Sequence, residues 1–166
     1  MYAIGDYVVH PGQGVCQVKD VTEGPEGIYE LMPVGQRHPV HISFPVASEG
    51  RLRPVLSRDE AEQIIEDYPR MQLDGFAARN ISLEEEHFRR EIRTGTCRDS
   101  VRIAKTFHAR IDDLSHRNKR PPVAYERILK QARERSCSEL AVALDCTPDD
   151  VAMLFRARAG EVPQDN

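Results

Sequence analysis

The chain has 166 residues, a formal net charge of −4, 40% hydrophobic and 30% charged residues, which fits one medium or two small globular domains. No apolar run approaches the roughly 18 residues of a membrane helix, and the N-terminus lacks a basic segment followed by an apolar core, so a cytoplasmic protein without membrane association is expected. The small net charge hides segregation: residues 59–86 carry 2 basic and 9 acidic side chains, 87–135 carry 14 and 6, and 136–166 carry 2 and 6, so a net-acidic protein can still present a basic face.

In the stretch Gly5 to Val18, Tyr7 to His10 and Val15 to Val18 alternate β-prone residues around Pro-Gly-Gln-Gly. That turn offers one fixed φ and two positions free to take φ > 0, so the segment is predicted to be a hairpin. Gly24-Pro25-Glu26-Gly27 is a second turn, Ile28 to Val34 a third strand, Gly35 to His38 a third turn and Pro39 to Phe44 a fourth strand. Four to five short strands predict a small twisted barrel or SH3-like sheet with open edges, and an open edge is one route to peptide recognition.

Ser57 with Glu60 has capping-box spacing ahead of Ala61, Ile64, Ile65 and Tyr68, and Pro69 stops that helix. Residues 70–80 lack a clean period and are expected to connect, with one helical turn at most. Ser82 with Glu85 predicts a second cap for a helix carrying Leu83, Phe88 and Ile92, with Ile81 as a hydrophobic staple before it. Thr96 is expected to cap the longest helix, with Val101, Ala104, Phe107, Ile111 and Leu114 as its apolar stripe. A helix after Pro122, a separate short helix around Leu140 to Leu144, and a last one after Thr147-Pro148 complete the helical half. The division is 1–56 and 57–160, with a frayed tail at 161–166.

Catalytic patterns are absent from the sequence: no His-Glu-x-x-His and no phosphate-cradling glycine loop occur. His38 and His41 step by three and fall on opposite faces of a strand, and Cys16, Cys97, Cys137 and Cys146 lack metal-ligand spacing. The expectation is a non-catalytic protein with free thiols and neither metal nor cofactor. Arg98, Arg102 and Lys105, spaced 4 and 3, share a face nearly opposite the Val101/Phe107/Leu114 stripe, so they are expected to point to solvent, either as an ordinary solvated face or, with the other basic residues up to Arg135, as a phosphate-contacting one.

Gly5-Asp-Tyr-Val-Val-His-Pro followed by Gly-Val, then Phe44-Pro45-Val46 and Leu52-Arg53-Pro54-Val55, resembles the RNA-polymerase-interacting domain of CarD-like regulators and the transcription-repair coupling factor. The resemblance implies a Tudor-like sheet in an α+β protein whose C-terminal domain is all helical. It implies binding to the β-subunit lobe of RNA polymerase, aided by basic side chains near the third turn. The best-aligned position there is Ser43, with Arg37 as a nearby substitute and Ile42 beside it. Asn80-Ile81-Ser82, Ile92, Gly95 and Lys105 resemble the family's DNA-binding layout, in which a tryptophan wedge steadies the open complex at the promoter bubble. Ile81 stands at the wedge position, with Leu83 and Glu84 where basic residues are usual.

The reading is therefore a monomeric transcription regulator contacting polymerase through the sheet and promoter DNA through Ile81, Arg98, Arg102 and Lys105. Alternatives are a protein-interaction adaptor without DNA contact and a sequence-specific helix-turn-helix regulator. The latter rests on Ser138 to Phe155, where Ala141 and Val151 are packing positions. Asp149 and Asp150 stand where base-reading side chains belong and would repel phosphates.

Overall fold

The computed structural model describes residues 1–160; the expected frayed tail lies outside the described residues. Five antiparallel strands form one sheet: β1 (Tyr7–His10), β2 (Gly14–Val21), β3 (Ile28–Pro33), β4 (Ile42–Pro45) and β5 (Arg53–Pro54), in the order β4-β3-β2-β1-β5. This is the expected small Tudor/SH3-like β unit, and a helical region follows it. The hairpin places His10 opposite Gly14, and Gly14 takes φ +74°, which closes the three-residue loop Pro11-Gly12-Gln13. Gly12 does not use the freedom expected of it. The fourth strand is shorter than the expected Pro39 to Phe44, because proline has no N–H to give a ladder and Val40 and His41 are exposed.

Alternation sorts the strands into two faces. Val8, Cys16, Val18, Tyr29, Leu31, Phe44 and Leu52 form one core, while Val9 and Val15, paired across β1 and β2, are buried on the opposite face, where β2 meets the helices.

The helices are α1 (Arg58–Asp67), α2 (Ile81–Thr94), α3 (Cys97–His116), α4 (Val123–Leu144) and α5 (Pro148–Ala159). Thr96 and Asp99 form a full capping box, as do Thr147 and Asp150. Two expectations change. The cap of α2 is Asn80, whose side chain accepts from the Leu83 N–H at 2.9 Å, so Ile81 is the first helical residue rather than a staple. Residues 123–144 form one helix instead of two, since neither glycine nor proline interrupts them and Ser136 satisfies its hydroxyl on the Ala132 carbonyl at 2.7 Å.

α3 and α4 run through two cores. One joins them to α1 and α5 through Ala61, Ile64, Cys97, Val101, Leu140 and Val151. The other joins them to α2 through Phe88, Ile92, Ile103, Phe107, Ile128 and Ala132. Each buried Val, Leu, Ile or Phe among these contributes about 1.5–3 kcal/mol. Ile103 was not in the expected stripe of α3; it is buried because α3 is covered on more than one side.

The β unit is fastened to the helices by charge. Arg53 of β5 makes a bidentate pair with Glu139 of α4 at 2.7 and 2.6 Å, and the Leu56 N–H donates to the same carboxylate at 3.1 Å. Arg135 reaches back to the Pro11 carbonyl at 2.9 Å, over Gly14. A side chain at Gly14 would press on that arginine as well as strain the turn.

The hairpin turn depends on the protonation state of His10. The Nδ1 of His10 accepts from the Gly12 and Gln13 N–H groups at 3.0 and 3.1 Å, so it must be unprotonated. Burial, with the charges of Arg135 and Arg51, holds the His10 imidazole below its ordinary value. The unfolded chain therefore takes up the proton first, and the stabilisation is present above about pH 6.5 and is lost as pH falls toward the folded value. The amide resonances of Gly12 and Gln13 are expected to shift with a midpoint below 6.5. A midpoint at or above 6.5 would contradict this.

Candidate interaction surfaces

The two edges of the sheet differ. β5 has only two residues, and one of them is tied to α4. Among the described residues no strand pairs with β4 on the side away from β3. The Val46 N–H bonds the Gly27 carbonyl, so by alternation Phe44 and Ile42 also face β3, whereas Ser43 directs its N–H and carbonyl outward. Pro45 also faces outward and offers only a carbonyl there. The edge is thus short, with a single outward strand donor, Ser43.

The residues expected at this edge play different parts. Arg37 is exposed in the loop before β4, where Val40 is 71% exposed. The Ser43 hydroxyl donates to Glu30 at 2.7 Å. Ile42 packs partly into the sheet core, so an acid placed there would disturb folding before binding.

Residues 2–56 match the family model described as the CarD-like/TRCF RID domain. The matched span is the sheet just described. Residues 2–56 are a CarD-like RNA-polymerase-interacting domain. RNA polymerase is accordingly a partner of the CarD-like domain and transcription its setting. No curated protein matches the chain. No described helix is long and apolar enough to cross a membrane.

Beyond the CarD-like domain, Arg98 of the cationic row on α3 is exposed, whereas Arg102 and Lys105 are partly covered and engaged within the fold. Arg102 is bound by Asp74 at 3.3 Å, by Asp99 at 2.7 Å and by Glu91. Lys105 donates to the carbonyls of Tyr68 and Met71 at 2.7 Å each and of Pro69 at 3.3 Å, and burial lowers its pKa. Arg98 pairs with Asp67 at 3.0 Å. The reason is the connector: residues 68–78 pack along α3, and backbone carbonyls and acids from it take the charges that a helical wheel assigns to water.

Ile81 stands elsewhere. The starts of α2 and α4 and the end of α3 meet at one end of the bundle, fixed by Arg127 to Glu85 at 2.9 Å and by Arg110, which donates to the Phe76 carbonyl at 3.0 Å. Arg98 lies about 18 Å along α3 from Arg110, so the row and Ile81 do not form one surface. At this end Ile81, Leu83 and Val123 are 44%, 41% and 57% exposed. Around them Arg79, Lys119 and Arg120 are exposed and have no carboxylate partner among the described residues. The acids expected to repel phosphates there are largely spent. Glu84 is buried and accepts from the Ala78 N–H at 3.2 Å, and Glu85 is paired with Arg127, leaving Glu86, which pairs with Arg90 at the surface.

The helix-turn-helix reading fares differently in its parts. Ala141 and Val151 are buried packing positions as expected. However, α5 packs on α1 and the turn at residues 68–70, with Phe155 against Tyr68 at 4.7 Å, and its first turn shows Asp149 and Asp150 to solvent.

The four cysteines are free, three of them buried. Burial pushes the Cys16 thiol up to about 11 and Cys97 higher still, so neither is a ready nucleophile.

Proposed function

We propose that the protein is a non-catalytic transcription regulator that holds the β-subunit lobe of RNA polymerase at the β4 edge and brings the Ile81 end of its helical bundle to promoter DNA, modulating open-complex stability. The observation that carries this reading is the division of labour between edges: the CarD-like domain is fixed to the helices at its β5 side and leaves β4 open. A partner strand can add there through the Ser43 N–H and the outward carbonyls, with Arg37 beside it.

The DNA contact belongs to the end of the bundle, where apolar side chains stand among exposed cations. Apolar wedges unstack base steps in the minor groove, and Ile81 is placed for that at a helix start. Arg79, Lys119 and Arg120 supply phosphate contacts, in place of Arg98, Arg102 and Lys105.

Replacing Arg79, Lys119 and Arg120 together by glutamine is expected to lower DNA affinity regardless of sequence and to reduce the log-log salt slope by about 2–3 units, at about 0.9 per duplex phosphate released. Ile81→Trp is expected to lengthen the half-life of promoter complexes and Ile81→Ser to shorten it. Glu86→Arg is the appropriate charge reversal, because Glu84 is part of the fold. An unchanged salt slope in the triple variant would remove this end from the DNA contact.

A further inference from the structure

A groove of about 670 Å³ lies between α3, α4, α5 and the turn at residues 68–70. Its walls are apolar, built from Tyr68, Val101, Ala104 and Phe155, and its volume is that of a small-molecule site. Lys105 stands in one wall, with its ammonium held on three carbonyls and 5.1 Å from the centre of the Tyr68 ring, so that positive charge is fixed in place. Arg133 and Arg156 also line the groove, both exposed and both without a carboxylate partner among the described residues. Arg133 sits close enough to Tyr68 for its charge to favour the phenolate against the upward push of burial. Among the described residues the one acid on the lining is Asp112, which pairs with His108 at 3.5 Å.

An apolar trough with three cations and one acid is complementary to an apolar body carrying a negative end. We propose that this groove binds a small amphipathic carboxylate, with an apolar chain or ring of about eight to ten carbons along the Val101/Ala104/Phe155 wall and its acid at Arg133 and Arg156. The guanidinium forks suit a carboxylate better than an ammonium would, because they offer paired donors in one plane. Occupation would press α5 and the turn at residues 68–70 together, since both contribute walls.

The test is calorimetric titration of the full chain with octanoate and, as its uncharged match, octan-1-ol. Octanoate is expected to bind saturably at one site and about five- to tenfold more tightly than octanol, the range two exposed charge contacts supply. Arg133→Gln with Arg156→Gln is expected to erase that preference while leaving octanol unchanged. Ala104→Leu, which fills the groove, is expected to weaken both ligands. Circular dichroism checks the fold of each variant, and the arginine variants decide the matter if the Ala104 variant does not fold. Absence of saturable octanoate binding, equal affinity for the two ligands, or a preference surviving the double arginine change would overturn the proposal. So would binding of an acidic amphipathic peptide that octanoate does not displace.

Discussion

Arg53→Ala is expected to cost about 3–5 kcal/mol of stability, the penalty for stripping one partner from a buried ion pair. Glu139 is 1% exposed, and apart from Arg53 the one hydrogen-bond donor to its carboxylate among the described residues is the Leu56 N–H. Without the guanidinium, a charge remains in the interface between sheet and helices with one donor for two oxygens. Arg53→Met combined with Glu139→Leu is expected to recover most of the loss, because replacing both members of such a pair removes the desolvation cost along with the attraction. Urea unfolding of the single and double variants measures the coupling directly. A loss below about 1 kcal/mol for Arg53→Ala would mean that the pair behaves as a surface bridge.

The second large effect falls on the row that the helical wheel assigned to DNA. Arg102→Gln is expected to destabilise the fold by about 2–3 kcal/mol, since Asp74, Asp99 and Glu91 would keep their negative charges without the shared cation. Lys105→Met removes the ammonium shared by the carbonyls of Tyr68, Pro69 and Met71, of which Tyr68 keeps the Met71 N–H, and is expected to loosen the turn at residues 68–70 at similar cost. Neither substitution should alter the salt dependence of DNA binding in protein that remains folded. A slope reduced by about one unit for either would restore that residue to the DNA contact.

The partners of Arg102 and Lys105 show what a helical wheel does not convey. Period and spacing locate one apolar stripe on α3, and Val101 and Phe107 of that stripe are buried. They say nothing about a connector without a period, and Lys105 is bound there by backbone carbonyls that every residue type carries. The α2 cap was misplaced for a simpler reason. Asn80 and Ser82 are both capping residues two positions apart, and only the extended backbone at Asn80, with φ −145° and ψ 161°, decides between them. The hairpin was legible because its turn chemistry is local: His10 must oppose Gly14, and the positive φ of Gly14 is one that glycine adopts freely. The tie between Arg53 and Glu139 joins residues 86 apart in the chain and had no local signal.

Of the residues at the candidate surfaces, Ile81 and Ser43 were singled out by resemblance to a family motif, and Arg37 as the basic residue near Ser43. Lys119 and Arg120 were visible only as part of a broad basic block. They share with Lys130 and Arg133 the lack of a carboxylate partner among the described residues, whereas Arg110, Arg117, Arg127 and Arg135 of the same block are engaged by carboxylates or carbonyls, and they stand in the segment leading into α4 at the Ile81 end. Surplus charge, rather than total charge, marks a surface available to phosphates.

The central claim is that polymerase is held at the β4 edge, and Ser43→Pro tests it with least disturbance to the fold. The Ser43 N–H points away from β3, so proline there removes no ladder bond, and Pro45 already occupies the next outward position. Capture of purified core RNA polymerase, without DNA, by the full chain and by this variant is the measurement. The account predicts loss of capture by Ser43→Pro, partial loss by Arg37→Glu, and no change on replacing Arg79, Lys119 and Arg120. Wild-type capture by a folded Ser43→Pro variant would contradict it.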